Sequence, residues 1–229
     1  MNEDQLDQLN TKFETSTPQE ILSWAIKTYS PQIALSSSFG GQSTALIHMA
    51  VQIDPKIPIL FLNTGFLFKE TIQFVNDLRK QFNLNVLEFK ASPEQIEKTK
   101  KNLENKSYTG VCCDDSKVSL MEQSLKGLDC WVAGLRRSQG SMRKDIKIVE
   151  LYGSGLLKVH PLANWSGKDL FNYMKQHGLP FHPLWDKGYT SIGCEPCTAL
   201  PGDQGERSGR WTGTQKTECG IHTFLKKEN

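Results

Sequence analysis

The sequence lacks any long hydrophobic run, because no apolar stretch approaches the roughly 18 residues that a membrane-spanning helix needs. It also lacks a charge bias: 27 basic residues face 25 acidic ones, for a net charge of +2. Such a balance gives no indication of nucleic-acid or membrane binding. Internal repeats and low-complexity segments are absent as well. What remains is a chain of 229 residues, long enough for one α/β domain with a substantial core.

The amino-terminal stretch also lacks the features of a signal peptide. It reads MNEDQLDQLN, which is acidic and polar instead of basic and then apolar. We therefore expect a cytoplasmic protein. In that compartment the six cysteines are expected to be reduced, metal-binding or catalytic instead of joined in disulfides.

Hydrophobic periodicity predicts alternating strands and helices. Strands are predicted at QIALSSSF, IPILFLN and LNVLEF, separated by a helix at GGQSTALIHMAVQ and another over 68–82. A later strand at DCWVAGL and two more at KIVEL and LLKVHPL continue the pattern. Strands that alternate with helices favour an open, mostly parallel twisted sheet with helices on both faces.

Two helix starts carry capping signals. Thr17 precedes Pro18 as a predicted N-cap, and Ser166 with Asp169 has the spacing of a capping box. Beyond about Pro180 the pattern gives way to loops rich in glycine, proline and charge, which indicates a functional segment in a compact protein. We therefore predict a helical segment at 1–30, an α/β region at 31–180 and a loop-rich segment at 181–229, all in one domain.

The stretch SSSFGGQST joins a predicted strand to a predicted helix. Its small residues, among them Ser37, Ser38, Gly40 and Gly41, let a ligand approach the backbone. Amides at the amino end of a helix favour an anion, and ligands of open parallel sheets bind beyond the carboxyl ends of the strands. The stretch matches neither common phosphate-loop pattern, so a nucleotide loop and an ordinary turn both stay open.

Arginines are concentrated in two stretches, GLRRSQGSMRK and GERSGRW. Arg136, Arg137 and Arg143 follow a predicted strand, whereas Arg207 and Arg210 lie in the loop-rich segment. Guanidinium groups suit phosphate and sulfate, because a planar fork matches two oxygens at once. A loop arginine pair is more often solvated surface, but the strand-end position of the first group favours a ligand site.

Four cysteines form two pairs. Cys112 and Cys113 are adjacent, and Cys194 and Cys197 form a C-x-x-C motif in GCEPCTAL. Such a motif is also found in redox-active dithiols and in zinc sites. The adjacent pair argues against zinc, whose sites are usually assembled from spaced pairs, whereas two adjacent thiolates can reach different irons of a cubane cluster. A [4Fe–4S] cluster is therefore our leading hypothesis, with zinc as the alternative.

The other two cysteines differ in their surroundings. Cys130 lies in the apolar stretch DCWVAGL and is expected to be a small buried residue of the core. Cys219 lies in the polar stretch ECGIH, three residues before His222. A protonated His222 or a nearby arginine would lower the pKa of this thiol and supply a reactive thiolate. The alternative is an incidental, exposed cysteine.

Taken together, these motifs resemble one family, the assimilatory sulfonucleotide reductases. Its members reduce adenylyl sulfate (APS) or its 3′-phosphorylated form (PAPS) with thioredoxin. The resemblance extends from about Ile33 to His222 and rests on SSSFG, NTGFLF, CC with CEPC, GLRR, HPLWDKGYTSIG, GERSGRW and ECGIH. It implies an adenine nucleotide alpha hydrolase-like fold, thioredoxin as reductant and one [4Fe–4S] cluster per subunit.

The resemblance also implies a role for each matching residue. Cys219 would be the nucleophile, Lys117 would lie between cluster and substrate, and His222 would lie near the substrate. The residues expected to bind the substrate are Ser37, Ser38, Gly40, Gly41, Leu62, Gly134, Arg136, Arg207 and Arg210. The expected cluster ligands are Cys112, Cys113, Cys194 and Cys197.

The implied reaction has two steps. The thiolate of Cys219 attacks the sulfate sulfur of APS, expels AMP and leaves an S-sulfocysteine, which a thioredoxin thiol then attacks to release sulfite. The four paired cysteines indicate APS, the substrate of the cluster-bearing branch. The loop, with Gln42 and Ser43 where many APS-type members have an acidic pair, is closer to the PAPS type. PAPS, or both nucleotides, is therefore the alternative substrate.

Two other classes fit parts of the sequence. ATP pyrophosphatases share the expected fold, but their SGGxDS loop is interrupted here by Phe39 and lacks the aspartate. A non-enzymatic redox sensor would explain a cluster but would leave Cys219 without a role. We therefore predict sulfonucleotide reduction, with no nucleic-acid or membrane partner. A homo-oligomer is compatible with this prediction, since members of the family form dimers and tetramers.

Overall fold

The computed structural model describes residues 1–104, 114–152, 155–203, 205–214 and 218–222. Its helices are α1 (Glu3–Phe13), α2 (Pro18–Tyr29), α3 (Ser43–Ile53), α4 (Lys69–Gln81), α5 (Pro93–Glu104), α6 (Ser119–Leu125) and α7 (Gly167–Gln176). Its strands are β1 (Ile33–Ser36), β2 (Ile59–Asn63), β3 (Val86–Lys90), β4 (Cys130–Ala133), β5 (Val149–Leu151) and β6 (Leu157–Val159). A π-helical turn (Asp114–Val118) leads into α6. Within these residues, no helix has the length and apolar character needed to cross a membrane.

The strands form one sheet in the order β3-β2-β1-β4-β6-β5. Neighbouring strands are parallel except β5, which pairs antiparallel with β6. The predicted open, mostly parallel sheet is therefore confirmed. The chain order along the sheet reverses between β1 and β4, which pair from Ile33–Cys130 to Ser36–Ala133. Such a reversal opens a crevice at the carboxyl ends of the two strands.

Alternate residues of the central strands face opposite sides of the sheet, as strand geometry requires. Along β1, Ile33 and Leu35 join the main core with α1–α4 and α7, whereas Ala34 joins a second core with α5 and α6. In β4, Cys130 belongs to the main core and Trp131 to the second. The sheet thus carries helices on both faces, as predicted.

The structure confirms that Cys130 is a core residue, as predicted. Its side chain is fully buried in the main core. Burial, with a smaller effect of the neighbouring Asp129, raises the pKa of the Cys130 thiol to about 12. A thiol of this kind stays protonated near neutral pH, so Cys130 contributes packing and not reactivity.

Both predicted helix starts are present. The Thr17 hydroxyl accepts the N–H of Glu20 at 3.2 Å, and the Glu20 carboxylate accepts the N–H of Thr17 at 2.7 Å. Ser166 and Asp169 exchange the same two bonds, at 3.2 and 2.7 Å, at the start of α7. These reciprocal bonds satisfy amides that have no partner within the helix.

The described part of the segment after Leu179 contains short turns and isolated β-bridges, and His182 anchors it to the sheet domain. His182 Nδ1 accepts the N–H of Leu184 at 3.1 Å, so Nε2 carries the proton and donates to Thr71 Oγ1 at 3.0 Å. The imidazole is fully buried, and burial lowers the pKa of His182 to about 4. A neutral histidine therefore attaches this segment to α4.

We predict that the central strands carry much of the stability. Ile59→Ala, at a fully buried position of β2, should lower the free energy of unfolding by about 2–5 kcal/mol, because it removes packed methyl groups and leaves a cavity. Leu87→Ala, at a 43% exposed position of the edge strand β3, should cost only about 0.5 kcal/mol. Urea unfolding followed by circular dichroism compares the two variants. Equal losses would contradict this account of the core.

The buried neutral His182 predicts a pH dependence. The pKa of about 4 in the folded protein is below the ordinary value of 6.5, so the unfolded chain takes up a proton first as the pH falls. The contribution of His182 to the free energy of unfolding is therefore complete above pH 6.5. It decreases by about 3 kcal/mol between pH 6.5 and 4. In His182→Gln, urea unfolding at several pH values should show a shallower decrease than in the wild type. Parallel curves would show that His182 does not titrate in this way.

Candidate active site

A cleft of about 210 Å³ opens at the carboxyl ends of β1 and β4, where the strand order reverses. The structure brings together in it all residues predicted to bind or act on the substrate. These are Ser37, Ser38, Gly40, Gly41, Leu62, Lys117, Gly134, Arg136, Arg207, Arg210, Cys219 and His222. Residues far apart in sequence thus meet in one place, as expected for a binding site of an open α/β sheet.

The loop between β1 and α3 packs tightly against the loop at 190–193. Phe39 has a positive φ of 49°, which turns the chain sharply after β1. A Cβ atom on Gly40 would lie 2.8 Å from the carbonyl oxygen of Ile192, closer than packed atoms tolerate. Ser43 then opens α3, with its N–H and hydroxyl bonded to the Gly40 carbonyl at 3.0 and 2.8 Å. The loop thus presents backbone and the amino end of a helix to the cleft.

The two adjacent arginines after β4, Arg136 and Arg137, have different surroundings. Arg136 is buried, and its guanidinium donates to Glu206 at 2.6 Å and to Ser138 Oγ at 3.0 Å. Its Nε is buried without a hydrogen-bond partner among the described residues. Arg137 points away from the cleft and pairs with Glu14 at 2.7 Å. Of this adjacent pair, only Arg136 can therefore contact a ligand in the cleft.

Glu218 bridges the buried Arg143 and the half-buried Arg207 at the rim of the cleft. Its carboxylate accepts two bonds from Arg143, from Nε at 2.5 Å and Nη2 at 2.7 Å, and one from Arg207 Nη2 at 3.1 Å. Burial opposes ionisation of Glu218, but the hydrogen bonds and charge of Arg143, with the charge of Arg207, outweigh burial and lower the pKa of this carboxyl. The carboxylate is therefore ionised near neutral pH and offsets the positive charge around it.

Cys219 is buried and only 8% exposed, packed with Cys194, Cys197 and Trp211. The alternative of an incidental exposed cysteine is therefore wrong. The N–H of Cys219 donates to the Glu218 carboxylate at 2.8 Å, which orients the segment around the thiol. Burial and the charge of neighbouring arginines lower the pKa of Arg207 to about 10, while an ionised Cys219 would raise it. Arg207 stays charged near neutral pH and favours the thiolate.

We call Glu218–His222 the thiol segment. His222 lies at the opposite end of this segment from Glu218. Its ring stacks on Trp131 with centroids 6.1 Å apart and an interplanar angle of 11°. Burial, with the positive charges of Lys158 and Arg143, lowers the pKa of His222 well below its usual value. The prediction that a protonated His222 stabilises the thiolate is therefore wrong. The arginines take that role. Its buried Nδ1 has no partner among the described residues.

Two of the four predicted cluster ligands can be located. Cys194 and Cys197 lie in one turn, closed by a hydrogen bond from the Cys197 N–H to the Cys194 carbonyl at 3.0 Å. Thr64 Oγ1 is 3.3 Å from Cys194 Sγ. Cys112 and Cys113 lie outside the described residues. Lys117 lines both the cleft and a small cavity beside Cys194 and Cys197, and its position between cluster and substrate stays a prediction.

Comparison with known proteins identifies the family. The model of the phosphoadenosine phosphosulfate reductase domain matches residues 32–200. The chain belongs to this family. It is 37% identical over 214 residues to an adenosine 5′-phosphosulfate reductase of Bacillus thuringiensis (strain Al Hakam), covering 91% of this chain and 92% of that protein. A protein of the same name from Bacillus cereus (strain AH187) is 38% identical with the same coverage.

Solved structures support the same fold. The crystal structure of a phosphoadenylyl-sulfate reductase from Candida auris superposes with a TM-score of 0.74 at 24% identity, covering 87% of this chain and 98% of that one. An FMN adenylyltransferase from Candida glabrata gives a TM-score of 0.58 at 17% identity, covering 93% and 78%. The predicted adenine nucleotide alpha hydrolase-like fold is confirmed, and the cleft of this phosphosulfate reductase family member lies where ligands of such sheets bind.

The structure adds residues to the site that the sequence motifs did not single out as site residues. Glu206 pairs with Arg136, and Gln139 lines the cleft beside Arg143. Arg143 itself was noticed only as part of a basic stretch, and Glu218 only as a neighbour of Cys219. Nothing in local sequence indicates that these two charges, 75 positions apart, form a buried ion pair. Glu218 directly precedes Cys219, and Arg143 belongs to the basic stretch after β4; these positions are the signals that could have identified them.

The close approach at Gly40 predicts a binding defect. In Gly40→Ala the new Cβ must displace the Ile192 carbonyl, and overpacking of this kind costs about 1–3 kcal/mol. We expect the affinity for AMP, measured by titration calorimetry, to fall by at least about tenfold. Gly202→Ala is the control, because its Cβ would meet nothing within 4 Å. Equal affinities in both variants would show that the loop does not contact the nucleotide.

Proposed function

We propose that this protein reduces APS to sulfite and AMP, with thioredoxin as the electron donor. One observation carries the proposal: the cleft places the thiol of Cys219 together with Lys117, Arg207 and Arg210 at the reversal point of the sheet. A thiol surrounded by cations suits an attack on an anionic sulfur centre. The identity to curated APS reductases over most of the chain supports the same reaction.

In the first step the thiolate of Cys219 attacks the sulfate sulfur of APS. A sulfur–sulfur bond forms, the bond between that sulfur and the bridging oxygen breaks, and AMP leaves with the electron pair. The attacking and attacked groups are both negative, so the reaction needs positive charge held in position before it starts. The buried Lys117 and the half-buried Arg207 and Arg210 supply this charge, and the surrounding protein strengthens its effect.

The neutral state of His222 suits a hydrogen-bonding role. Its Nδ1 is buried and has no partner among the described residues, and the stack on Trp131 holds the ring in place. A neutral imidazole can bond a substrate oxygen without adding a charge. The cationic side chains remain responsible for stabilising the thiolate and the developing charge on the leaving group.

The second step needs the S-sulfocysteine to meet a protein dithiol. A thiolate of reduced thioredoxin attacks Sγ of Cys219, and sulfite leaves with the electron pair of the sulfur–sulfur bond. The second thioredoxin thiol then attacks the mixed disulfide, which oxidises thioredoxin and restores the Cys219 thiol. Since Cys219 is buried in the described arrangement, the thiol segment must move outward for this step.

A [4Fe–4S] cluster is part of the proposal. Cys194 and Cys197 would hold one side of it, and their burial beside Thr64 and Lys117 supports this assignment. Cys112 and Cys113 would complete the set, although both lie outside the described residues. The small cavity beside Cys194 is bordered by α5 and by the π-helical turn, the two elements that flank those residues. When bound, the cluster would supply a rigid charged group beside Lys117, in a structural and electrostatic role and not as an electron carrier.

PAPS is the second candidate substrate. The loop with Gln42 and Ser43 favours it, and Gln42 Nε2 donates to the Gly167 carbonyl at 3.1 Å, so the amide holds the loop against α7. The reaction steps are the same for both nucleotides, so the choice depends on what contacts the 3′ position. A cytoplasmic location and a homo-oligomeric state stay predictions.

The covalent intermediate gives the test of the reaction. Reduced protein is incubated anaerobically with APS or with PAPS and then examined by intact-mass spectrometry. We expect an SO3 adduct in the wild type and in Cys130→Ala, none in Cys219→Ser, and removal of the adduct by reduced thioredoxin. The nucleotide that gives the faster adduct identifies the substrate.

Other results would reject the proposal in different ways. An adduct that persists in Cys219→Ser would place the nucleophile elsewhere. No adduct with either nucleotide, in protein whose cluster is intact by absorption spectroscopy, would reject the reaction. Cleavage of ATP to AMP and pyrophosphate under the same conditions would favour the pyrophosphatase alternative.

A further inference from the structure

The ion pair between Arg143 and Glu218 connects the thiol segment to the sheet. Both side chains are buried, with 7% and 8% of their surface exposed, and the contact is bidentate at 2.5 and 2.7 Å. A bidentate pair of this kind fixes orientation as well as distance. Because Glu218 directly precedes Cys219, this contact lies one residue from the thiol and restricts its position.

Arg143 is held on its own side of the contact. It lies in a short turn after β4, and its N–H bonds to the Gly140 carbonyl at 3.0 Å. A further guanidinium nitrogen, Nη1, donates to the side chain of Gln139. The turn follows a central strand of the sheet, so the guanidinium has a defined position. The thiol segment, by contrast, contributes only a short turn of regular structure, at Gly220–His222.

Glu218 is also saturated with donors. Its Oε1 accepts bonds from Arg143, from Arg207 at 3.1 Å and from the Cys219 N–H at 2.8 Å, while Oε2 accepts from Arg143. Removing Arg143 would leave a buried carboxylate that lacks its two shortest bonds. Breaking a buried pair from one side is strongly destabilising, so the segment would leave the cleft more often.

We propose that Arg143 and Glu218 are a positioning pair that docks the thiol segment over the cleft and sets the balance between docked and undocked states. The docked state presents Cys219 to the nucleotide, and the undocked state presents its sulfur to the reductant. The roles assigned to the docked and undocked states rest on the proposed function. The docking itself follows from the contacts alone.

The two half-reactions should respond differently to a weaker pair. A weaker pair lowers the docked population, so formation of the S-sulfocysteine slows. Release of sulfite by reduced thioredoxin needs the undocked state, so its rate stays the same or rises. A residue that only supported the fold would slow both steps or neither.

The first experiment measures docking without substrate or reductant. Anaerobic protein is treated with iodoacetamide, and alkylation of Cys219 is followed over time in the tryptic peptide 217–226. We expect Arg143→Met and Glu218→Gln to react at least about tenfold faster than the wild type. Arg143→Lys should be intermediate, because lysine keeps the charge but loses the fork. Arg137→Met is the matched control, since Arg137 pairs with Glu14 away from the cleft and should leave the rate unchanged.

The second experiment separates the half-reactions. Single-turnover formation of the adduct from APS should fall about tenfold in Arg143→Met, while release of sulfite from isolated adduct does not slow. The double variant Arg143→Met/Glu218→Gln should be less impaired than the product of the two single effects, because the two residues act through one contact. Thermal unfolding of each variant shows whether the fold is retained. Glu218→Gln, which keeps the shape of the side chain, carries the test if Arg143→Met unfolds.

Clear results would overturn the inference. Alkylation of Cys219 at the wild-type rate in both Arg143→Met and Glu218→Gln would show that the pair does not dock the segment. Equal slowing of both half-reactions would assign the pair a structural role only. Absence of an adduct in the wild type would reject the proposed function, and the alkylation rates would still decide the docking, because iodoacetamide needs no substrate.

Discussion

Strands β1 and β4 pair in parallel, from Ile33 with Cys130 to Ser36 with Ala133, and the position of every functional residue depends on this pairing. It brings two strand ends that are 97 positions apart to one edge of the sheet, where the chain order reverses. The loop after β1 and the arginine-bearing turn after β4 then become the two walls of one cleft. The loop-rich segment completes the cleft through direct contacts with these two walls. Ile192 packs against Gly40, and Glu206 pairs with Arg136.

Charge compensation is the second organising feature. Buried arginines are costly unless they are paired, because burial removes the water that would solvate them. Here Glu206 forms an ion pair with Arg136, and Glu218 forms ion pairs with both Arg143 and Arg207. The cleft therefore keeps strong positive charge without leaving it unopposed. A bound anion would find donors already in place, which is the arrangement that electrostatic catalysis requires.

The same environment explains why the two titratable groups of the ECGIH stretch behave differently. The positive charge of Arg207 beside Cys219 favours a thiolate, whereas burial, with the positive charges of Lys158 and Arg143, keeps His222 neutral. In the proposed reaction, one site thus combines an anionic nucleophile with a neutral hydrogen-bonding partner. The stack on Trp131 fixes the imidazole, and the bond from the Cys219 amide to Glu218 fixes the other end of the segment.

The sequence by itself determined the mostly parallel sheet, the N-cap at Thr17, the capping box at Ser166 and the core position of Cys130, because these depend on local periodicity and on neighbouring residues. It also indicated which loops carry chemistry, since small, basic and thiol-bearing residues are unusual enough in such stretches to stand out. Only the tertiary structure decided that Cys219 is buried, that His222 is neutral and that Arg137 lies outside the site while Arg143 lies within it. Burial and pKa depend on groups that meet across the fold, and no local pattern around Arg143 or Glu218 records which distant charge will face it.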